Sequence, residues 1–257
     1  MQNGFPRWQP GFAFCQSSVR ARVDSTVGFT KFIVAHRARW HSVSRMKHGT
    51  HWVIVDTETD GLCAPIHIVE LAAQRMQGWE PLGDPFRMFL NHEVPIPAEA
   101  FAVHGYSREF LRKNGNDPRV VHAAFREYAD GCPVVAHNLS YDWNRCLQPE
   151  WARLGIPAIG SRGFCTLTLS RRLLPGIGGY RLDALKARFA LKTNRSHEAL
   201  SDVFTVVELF RKIHRERLEP AGLDSFEAIA TFAALTPIAK CKAILQGEPL
   251  RLKTKRG

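Results

Sequence analysis

Long apolar runs are missing from this sequence. No stretch of its 257 residues approaches 18 consecutive apolar positions, so no membrane-spanning helix is predicted. Internal repeats and low-complexity blocks are also missing, whereas apolar residues make up 45% of the chain, the proportion of an ordinary globular protein. The length suggests one domain, or two small ones, with a buried core.

Paired cysteines are a second absence. No Cys-x-x-Cys occurs, no secretory signal is apparent, and the six cysteines are scattered as Cys15, Cys63, Cys132, Cys146, Cys165 and Cys241. This distribution predicts neither a disulfide framework nor a zinc site. We therefore expect reduced thiols in a cytoplasmic protein.

Net charge is nearly absent from the middle of the chain. Of the overall charge of +11, residues 1–50 contribute +7 and residues 240–257 contribute +5, whereas residues 51–239 hold 21 basic and 22 acidic side chains. Basic ends can contact nucleic-acid phosphates without sequence preference. The charge therefore allows a nucleic-acid partner but does not by itself demonstrate one.

Residues 1–47 form a basic extension with two explanations. The segment is poor in acidic residues, contains serine and shows neither helical nor strand periodicity, as is typical of transit peptides. The alternative, which we favour, is that Met46 is the natural start and that residues 1–45 extend the reading frame upstream. In either case we expect the extension to be disordered or not native, and it does not enter the fold prediction.

The order of the predicted elements favours an α/β fold. Three strands joined by short turns, beginning at Val53 and continuing as Ile66–Gln77 and Phe86–Leu90, predict an antiparallel meander. Short strands are also predicted at 134–136 and from 164, and the second of them runs into a helix that ends at 174. Further helices are predicted at 97–103, 107–114, 118–130, 141–154, 182–189, 197–218 and 226–235. This order predicts a mixed central sheet with helices packed on it.

Two acidic residues follow the first apolar strand residues, Val53–Val55. In an extended strand residues i and i+2 point to the same face, so Asp56 and Glu58 present their carboxylates side by side. Such like charges repel, and cations relieve the repulsion, most often divalent metal ions with oxygen ligands. An isolated Asp-x-Glu is common, however, and by itself a solvated acidic turn explains it better.

Three further residues lie at the ends of predicted elements. Asp142 follows a buried strand and Asp202 lies near the start of the longest helix, where the helix dipole favours acids. His197 precedes Asp202 by five residues, about 140° around a helix, so the two cannot share a helix face. We therefore expect His197 at or before the helix start and Asp202 pointing into the site. Taken singly, each residue has an ordinary structural explanation.

Taken together, these residues form three motifs that resemble the DEDDh (DnaQ-like) family of 3′–5′ exonucleases. The motifs are Asp56-Thr57-Glu58-Thr59-x-Gly61-Leu62, His137-Asn138-x-x-Tyr141-Asp142 and His197-x-Ala199-x-x-Asp202. The resemblance covers about residues 50–212, including the stretches 98–105 and 182–185, and is greatest to the proofreading epsilon subunit of DNA polymerase III. Two positions depart from the family pattern: Tyr141, where phenylalanine is usual, and Arg181, where small or polar residues are frequent.

The resemblance implies an RNase H-like exonuclease domain over residues 48–217, followed by a C-terminal helix and basic tail over 218–257. It implies two Mg²⁺ or Mn²⁺ ions held by Asp56, Glu58, Asp142 and Asp202. It also implies that His197 is the general base, since histidine titrates near neutral pH. Thr57, Glu99 and His104 are implied to lie near the terminal nucleotide, although a helix-end position favoured by the dipole also explains His104.

The function implied by the resemblance is hydrolysis of terminal phosphodiester bonds at a DNA 3′ end, single-stranded or frayed, releasing nucleoside 5′-monophosphates in proofreading or repair. Two alternatives stay open at this stage. One is trimming of RNA 3′ ends by an enzyme of the same superfamily, and the other is a non-catalytic nucleic-acid-binding module. A DNA polymerase partner is left open, and no membrane association is expected.

Overall fold

A computed structural model of the protein describes residues 51–193 and 197–248. The predicted basic extension, residues 1–47, and the end of the predicted tail, residues 249–257, lie outside the described residues. Within those ranges, no helix combines the length and the apolar character that crossing a membrane would require.

One mixed sheet of six strands organises the domain. The strands are β1 His51–Thr59, β2 Ile68–Gln77, β3 Glu80–Pro81, β4 Phe86–Phe89, β5 Pro133–Ala136 and β6 Ser161–Cys165. Their order is β3-β2-β1-β5-β6, and β4 also pairs with β2. Strand β2 pairs antiparallel with β1, β3 and β4, whereas β1, β5 and β6 run parallel. The predicted meander and mixed sheet are therefore confirmed.

Helices cover both faces of this sheet. They are α1 Ala98–His104, α2 Arg108–Asn114, α3 Pro118–Ala129, α4 Leu139–Tyr141, α5 Gln148–Leu154, α6 Thr166–Leu173, α7 Leu182–Arg188, α8 Ala199–Leu209, α9 Arg215–Leu218, α10 Phe226–Leu235 and α11 Ile238–Leu245. Their ends carry the expected signals: the Ser107 hydroxyl accepts the Phe110 N–H to cap α2, and Gly105 ends α1 in the left-handed conformation.

The alternation of side chains along β1 divides the core into two layers. Trp52 and Ile54 pack with α8, α6 and α10 in one apolar cluster. Val53 and Val55 pack with α3 and α5 in the other. Because both faces of the sheet are covered, its central strands read as nearly continuous apolar runs. The same alternation directs Asp56 and Glu58 to the face covered by α8.

Two predicted helices are interrupted by π-helical turns. The helix predicted over 141–154 consists of α4 and α5 joined by a π-helical segment, Asp142–Leu147. The helix predicted from His197 to Leu218 begins instead at Ala199, and Phe210–His214 forms a second π-helical segment before α9. A π-helical turn inserts one residue into a helix without disturbing the apolar spacing enough to be seen in a sequence. The positions of the two predicted helices were therefore correct, but their prediction as uninterrupted α-helices was wrong.

The C-terminal part of the described chain packs onto the same core. Phe226 at the start of α10 lies against Trp52 and Phe164, with ring centroids 6.1 and 5.5 Å apart. A second helix, α11, follows where a basic tail is predicted, and its Cys241 and Ile244 are buried. This helix was not predicted, because its lysines interrupt a short apolar stripe that holds only three core-facing positions. The predicted boundary after residue 217 stays a prediction.

Candidate active site

The site begins on β1, the central strand. Asp56 and Glu58 lie two residues apart near its carboxyl end, on the face shared with Trp52 and Ile54. Because β1 is paired on both sides, by β2 and β5, its backbone is held rigidly. The two carboxylates therefore have a fixed position at the edge of a packed core.

Helix α8 supplies the third carboxylate. Ala199, Val203 and Val206 face the sheet and are buried. Asp202 follows Ala199 by three residues and precedes Val206 by four, so it lies on that inward stripe. One carboxylate oxygen from each of Asp56, Glu58 and Asp202 lies within 4.8 Å of the others. Packing of α8 on β1 thus brings together acids separated by about 145 positions in the chain.

Asp142 approaches from the neighbouring parallel strand. Strands β1 and β5 run in the same direction, so the residues that follow β5 meet the end of β1 at one edge of the sheet. The Thr57 hydroxyl donates to the Asp142 Oδ1 at 3.0 Å, and Asp142 is buried. Asp142 does not belong to the group of three acids within 4.8 Å, but its charge acts strongly on Asp56.

Burial raises the pKa of every acid in this cluster, and repulsion from neighbouring acids raises those of Asp56 and Glu58 further. Burial raises the pKa of Asp56 well above its ordinary value, and the charges of Asp142 and Glu58 raise it further. The pKa of Glu58 rises to about 8, through burial and then the charge of Glu70. Burial raises the pKa of Asp142 to about 7 and also raises that of Asp202. Without a cation, these acids are destabilised as anions near neutral pH.

The donor set fits divalent cations. All four candidate ligands are carboxylates, which hard divalent cations prefer, and cations would relieve the repulsion that raises the pKa values of Asp56 and Glu58. Burial raises the pKa of Asp202 even though the neighbouring His197 and Lys186 lower it. The structure thus supports a divalent-metal site at the end of β1.

His197 lies just outside α8. Helix α8 begins at Ala199, and the backbone of His197 has a φ of 64°, in the left-handed region. Its backbone N–H donates to the Asp202 Oδ2 at 3.2 Å, while its imidazole Nε2 is 3.8 Å from the Asp183 Oδ2. The imidazole is half exposed. The structure therefore places His197 before the helix, beside Asp202 and on the open side of the site.

The candidate substrate residues occupy three different settings. The Thr57 hydroxyl is engaged by Asp142. Glu99 is exposed in the first turn of α1, and His104 is buried at the end of the same helix. The His104 Nδ1 accepts the Tyr106 N–H at 2.9 Å, and burial lowers the pKa of His104, partly opposed by the Thr59 carbonyl. His104 is thus a buried imidazole held next to Thr59, on the strand that carries Glu58.

Three further residues surround the acids, and the sequence analysis gave none of them a role in the site. Tyr141 shares a hydrogen bond of 3.0 Å with the Thr59 hydroxyl, and Asp183 lies beside His197. Glu70 is fully buried on β2, directly opposite Glu58. One signal for Glu70 was present: it is the only charge within the apolar run Ile68–Ala73. A charge in the middle of a buried strand indicates a built-in partner.

Comparison with known proteins now identifies the family. Residues 53–210 match the family model RNase_T, described as Exonuclease. The DNA polymerase III subunit epsilon of Rickettsia felis is 31% identical over 169 residues, which cover 62% of this chain and 71% of that protein. A PolC-type DNA polymerase III of Pediococcus pentosaceus is 28% identical over 177 residues, which cover 68% of this chain but 12% of that protein.

Solved structures agree. Exonuclease X, solved in complex with 5′ overhanging duplex DNA, is 26% identical with a TM-score of 0.55 and covers 71% of this chain and 99% of that one. The chain therefore belongs to the exonuclease family of the RNase_T model, as its resemblance to DnaQ-like enzymes implied. It has the RNase H-like exonuclease fold and is a nuclease.

Proposed function

We propose that this chain is a 3′–5′ exonuclease that hydrolyses terminal phosphodiester bonds of DNA and releases nucleoside 5′-monophosphates. The observation that carries the proposal is the convergence of Asp56, Glu58 and Asp202 to within 4.8 Å, with Asp142 beside them. Cleavage of a phosphodiester needs an activated water and a stabilised leaving oxygen. Carboxylates grouped in this way hold the cations that serve both ends of such a displacement.

Two Mg²⁺ or Mn²⁺ ions are the proposed cofactors. Asp56, Glu58, Asp142 and Asp202 would hold them, since four carboxylates nearly balance two divalent cations. Bound there, the cations supply Lewis-acid activation of water and of a phosphoryl oxygen. The protein contributes these ligands on three elements, β1, α8 and the π-helical segment Asp142–Leu147, whose packing sets the spacing of the ligands.

His197 is the proposed general base. It lies outside α8 with a half-exposed imidazole, where it can accept a proton from the attacking water. Its backbone N–H is bonded to Asp202, so base and ligand are held at a constant separation. An imidazole is suited to this task because it exchanges a proton near neutral pH.

Helix α1 is the proposed contact for the terminal nucleotide. Glu99 is exposed at its first turn, and His104 at its last turn lies next to the Thr59 carbonyl. Phe101, three residues before His104, is also exposed. Thr57 would act through its neighbouring backbone, since its hydroxyl already bonds Asp142. These roles rest on the family motifs and on this placement.

DNA is proposed as the substrate because of the relatives. The epsilon subunit is part of a DNA polymerase by its name, and Exonuclease X was solved with duplex DNA. A role in proofreading or repair and a polymerase partner are proposed on the same basis, whereas a cytoplasmic location is proposed from the scattered cysteines. The chain spans only 12% of the PolC-type proteins, so their complete activity is not transferred to it.

The test uses 5′-labelled oligonucleotides with purified full-length protein. We expect single-stranded DNA and duplex DNA with a mismatched 3′ end to shorten one nucleotide at a time in Mg²⁺, with mononucleotides as products, and EDTA to stop the reaction. Asp56→Ala and Asp142→Ala should lower the rate by more than about 100-fold, beyond the loss typical of outer-shell partners. Asp117→Asn is the matched control, because asparagine still caps α3.

Three other results would contradict parts of this proposal. Faster cleavage of RNA than of DNA would favour the RNA-trimming alternative. Binding of nucleic acid without cleavage in any divalent cation would favour the non-catalytic module. Shortening from the 5′ end, seen with a 3′-labelled strand, would overturn the polarity.

A further inference from the structure

A further buried acid, Glu70, lies next to the four candidate ligands but has no place in the proposed reaction. It lies on β2 directly opposite Glu58 of β1, and its side chain is fully buried. Like charges on directly opposite residues destabilise a strand pair. A buried carboxylate in that position must therefore be stabilised by other groups.

Three donors from three different elements stabilise Glu70. The Arg87 Nε on β4 donates to the Glu70 Oε1 at 2.6 Å. The Tyr106 hydroxyl, in the segment between α1 and α2, donates to the Glu70 Oε2 at 2.7 Å. The backbone N–H of Ala199 donates to the same oxygen at 3.0 Å. Charge-assisted hydrogen bonds of this length are the stronger ones in proteins.

The third of these donors connects Glu70 to the metal ligands. Ala199 is the first residue of α8, so its N–H has no acceptor within the helix. The residue at the helix cap, Glu198, makes no side-chain capping bond, and the carboxylate of Glu70 takes that place from a separate strand. A negative charge there is also favoured by the helix dipole. Asp202 follows one turn later, so its position depends on this anchor.

We propose that Glu70 is a positioning residue that fixes the start of α8, and thereby Asp202, against Asp56 and Glu58. This inference rests on the proposed function. The geometry is direct: one carboxylate is bonded to the helix that carries Asp202 and lies in register with Glu58. Tyr106 extends the same network to the substrate side, because it donates its backbone N–H to His104 and stacks on that ring at 4.9 Å.

The test compares Glu70→Gln with Glu150→Gln in the full-length protein. Glu150 is the matched control, because its carboxylate is also fully buried and also accepts a backbone N–H, that of Ile68 at 2.8 Å, but it contacts α3 rather than α8. Mn²⁺ is titrated without nucleic acid, and free Mn²⁺ is followed by electron paramagnetic resonance. Urea unfolding is measured in parallel, so that affinity is compared between folded proteins.

We expect Glu70→Gln to bind Mn²⁺ about 10–100-fold more weakly than wild type, as outer-shell changes do. High Mn²⁺ should restore much of its cleavage rate. Glu150→Gln should lose stability but keep the wild-type affinity within about twofold, because it lies away from the ligands. Tyr106→Phe removes one hydrogen-bond donor to Glu70 and keeps the ring, so it should weaken Mn²⁺ binding less than Glu70→Gln does. It replaces Glu70→Gln in the comparison if that variant does not fold.

Two outcomes would overturn the inference, and they can be told apart. In the first outcome, wild type binds Mn²⁺ and cleaves DNA, but Glu70→Gln (or Tyr106→Phe, if Glu70→Gln does not fold) binds Mn²⁺ as tightly as Glu150→Gln. The positioning role is then wrong, and the proposed function stands. If wild type neither binds Mn²⁺ nor cleaves, the proposed function is wrong and this inference falls with it.

Discussion

At the scale of single residues, the arrangement of the acids in the site disfavours their ionised forms. Glu58 has a carboxylate opposite it on the next strand, Glu70, and further acids nearby, and burial adds to the effect. Such an arrangement is unfavourable for folding but favourable for cation binding, because the bound cations remove the repulsion. The arrangement proposed to bind cations therefore lowers the stability of the metal-free protein.

This arrangement predicts a pH dependence of stability without metal. Glu58 has its pKa raised to about 8, so the folded state holds a proton that the unfolded state has lost, and stability falls as pH rises towards 8. His137 and His214 have the opposite effect on the pH dependence of stability, because burial lowers their pKa values to about 4 and about 3. Their effect is confined to pH values below ~6.5, where the histidines of the unfolded chain take up protons. In EDTA the urea midpoint should therefore decrease between pH 6.5 and 8.

Glu58→Gln provides the control for this prediction. It removes the group that titrates in that window and keeps its size, so its urea midpoint should change less with pH than that of wild type. Saturating Mg²⁺ should also flatten or reverse the wild-type trend, since cations bind the ionised form. A metal-free wild-type midpoint that is constant or rises from pH 6.5 to 8 would show that the acids are not protonated in the folded state.

His197 gives a prediction that separates a base from a ligand. His197→Ala should lower turnover by about 10²–10⁴-fold, the range typical of a lost general base, at every Mg²⁺ concentration. Mn²⁺ binding should stay near the wild-type value, because the imidazole points to Asp183 rather than into the carboxylate group. His51→Ala, which removes an exposed histidine at the start of β1, is the control. Recovery of the His197→Ala rate at high Mg²⁺ would instead identify the imidazole as a ligand.

At the scale of elements, helix α10 is joined to the core by aromatic contacts. Phe226 lies against Trp52 and Phe164, and Phe232 is fully buried in the same apolar cluster. Trp52 belongs to β1, the strand that carries Asp56 and Glu58. The stability of β1 is therefore coupled to a helix near the C-terminal end of the described chain.

Phe232→Ala tests that coupling. Removal of a fully buried phenylalanine should lower the free energy of unfolding by about 3–5 kcal/mol. Leu235→Ala is the matched control on the same helix, because Leu235 is 68% exposed and its removal should change stability by less than about 0.5 kcal/mol. Urea denaturation measures both. Equal, small effects would mean that α10 does not contribute to the folded domain.

At the scale of the whole molecule, the core of the described residues spans nearly the full length of that part of the chain. The buried apolar residues run from Trp52 at the start of β1 to Ile244 in α11. These residues form the two clusters on the faces of the sheet, together with a smaller one around Tyr106. The described sheet and the helices on both of its faces are built from residues 51–245.

We therefore expect a protein beginning at Met46 to fold and to cleave like the full chain. Thermal unfolding and the rate on single-stranded DNA, measured side by side, test this. An insoluble or folded but inactive truncation would return residues 1–45 to the domain. An active truncation whose binding depends less steeply on salt would show that the basic segment, with its net charge of +7 over residues 1–50, assists binding.

Several features could be predicted because their signals are local. The meander follows from three apolar runs separated by turn residues, and Ser107 and Gly105 mark helix ends by side-chain and backbone chemistry. The placement of His197 outside the helix follows from the 140° that separates it from Asp202. The π-helical turn at Asp142–Leu147 could not be predicted, since it changes hydrogen bonding and leaves composition ordinary.

The sequence by itself determined the family, the strand that carries Asp56 and Glu58, and the identity of the other candidate ligands, because each motif is contiguous and lies at an element end. Only the tertiary structure decided how those acids meet. Glu70 and Ala199 are 129 positions apart, yet one hydrogen bond of 3.0 Å between them sets the start of α8. Periodicity reports which side of an element is buried, whereas the partner across the core depends on the packing of both elements.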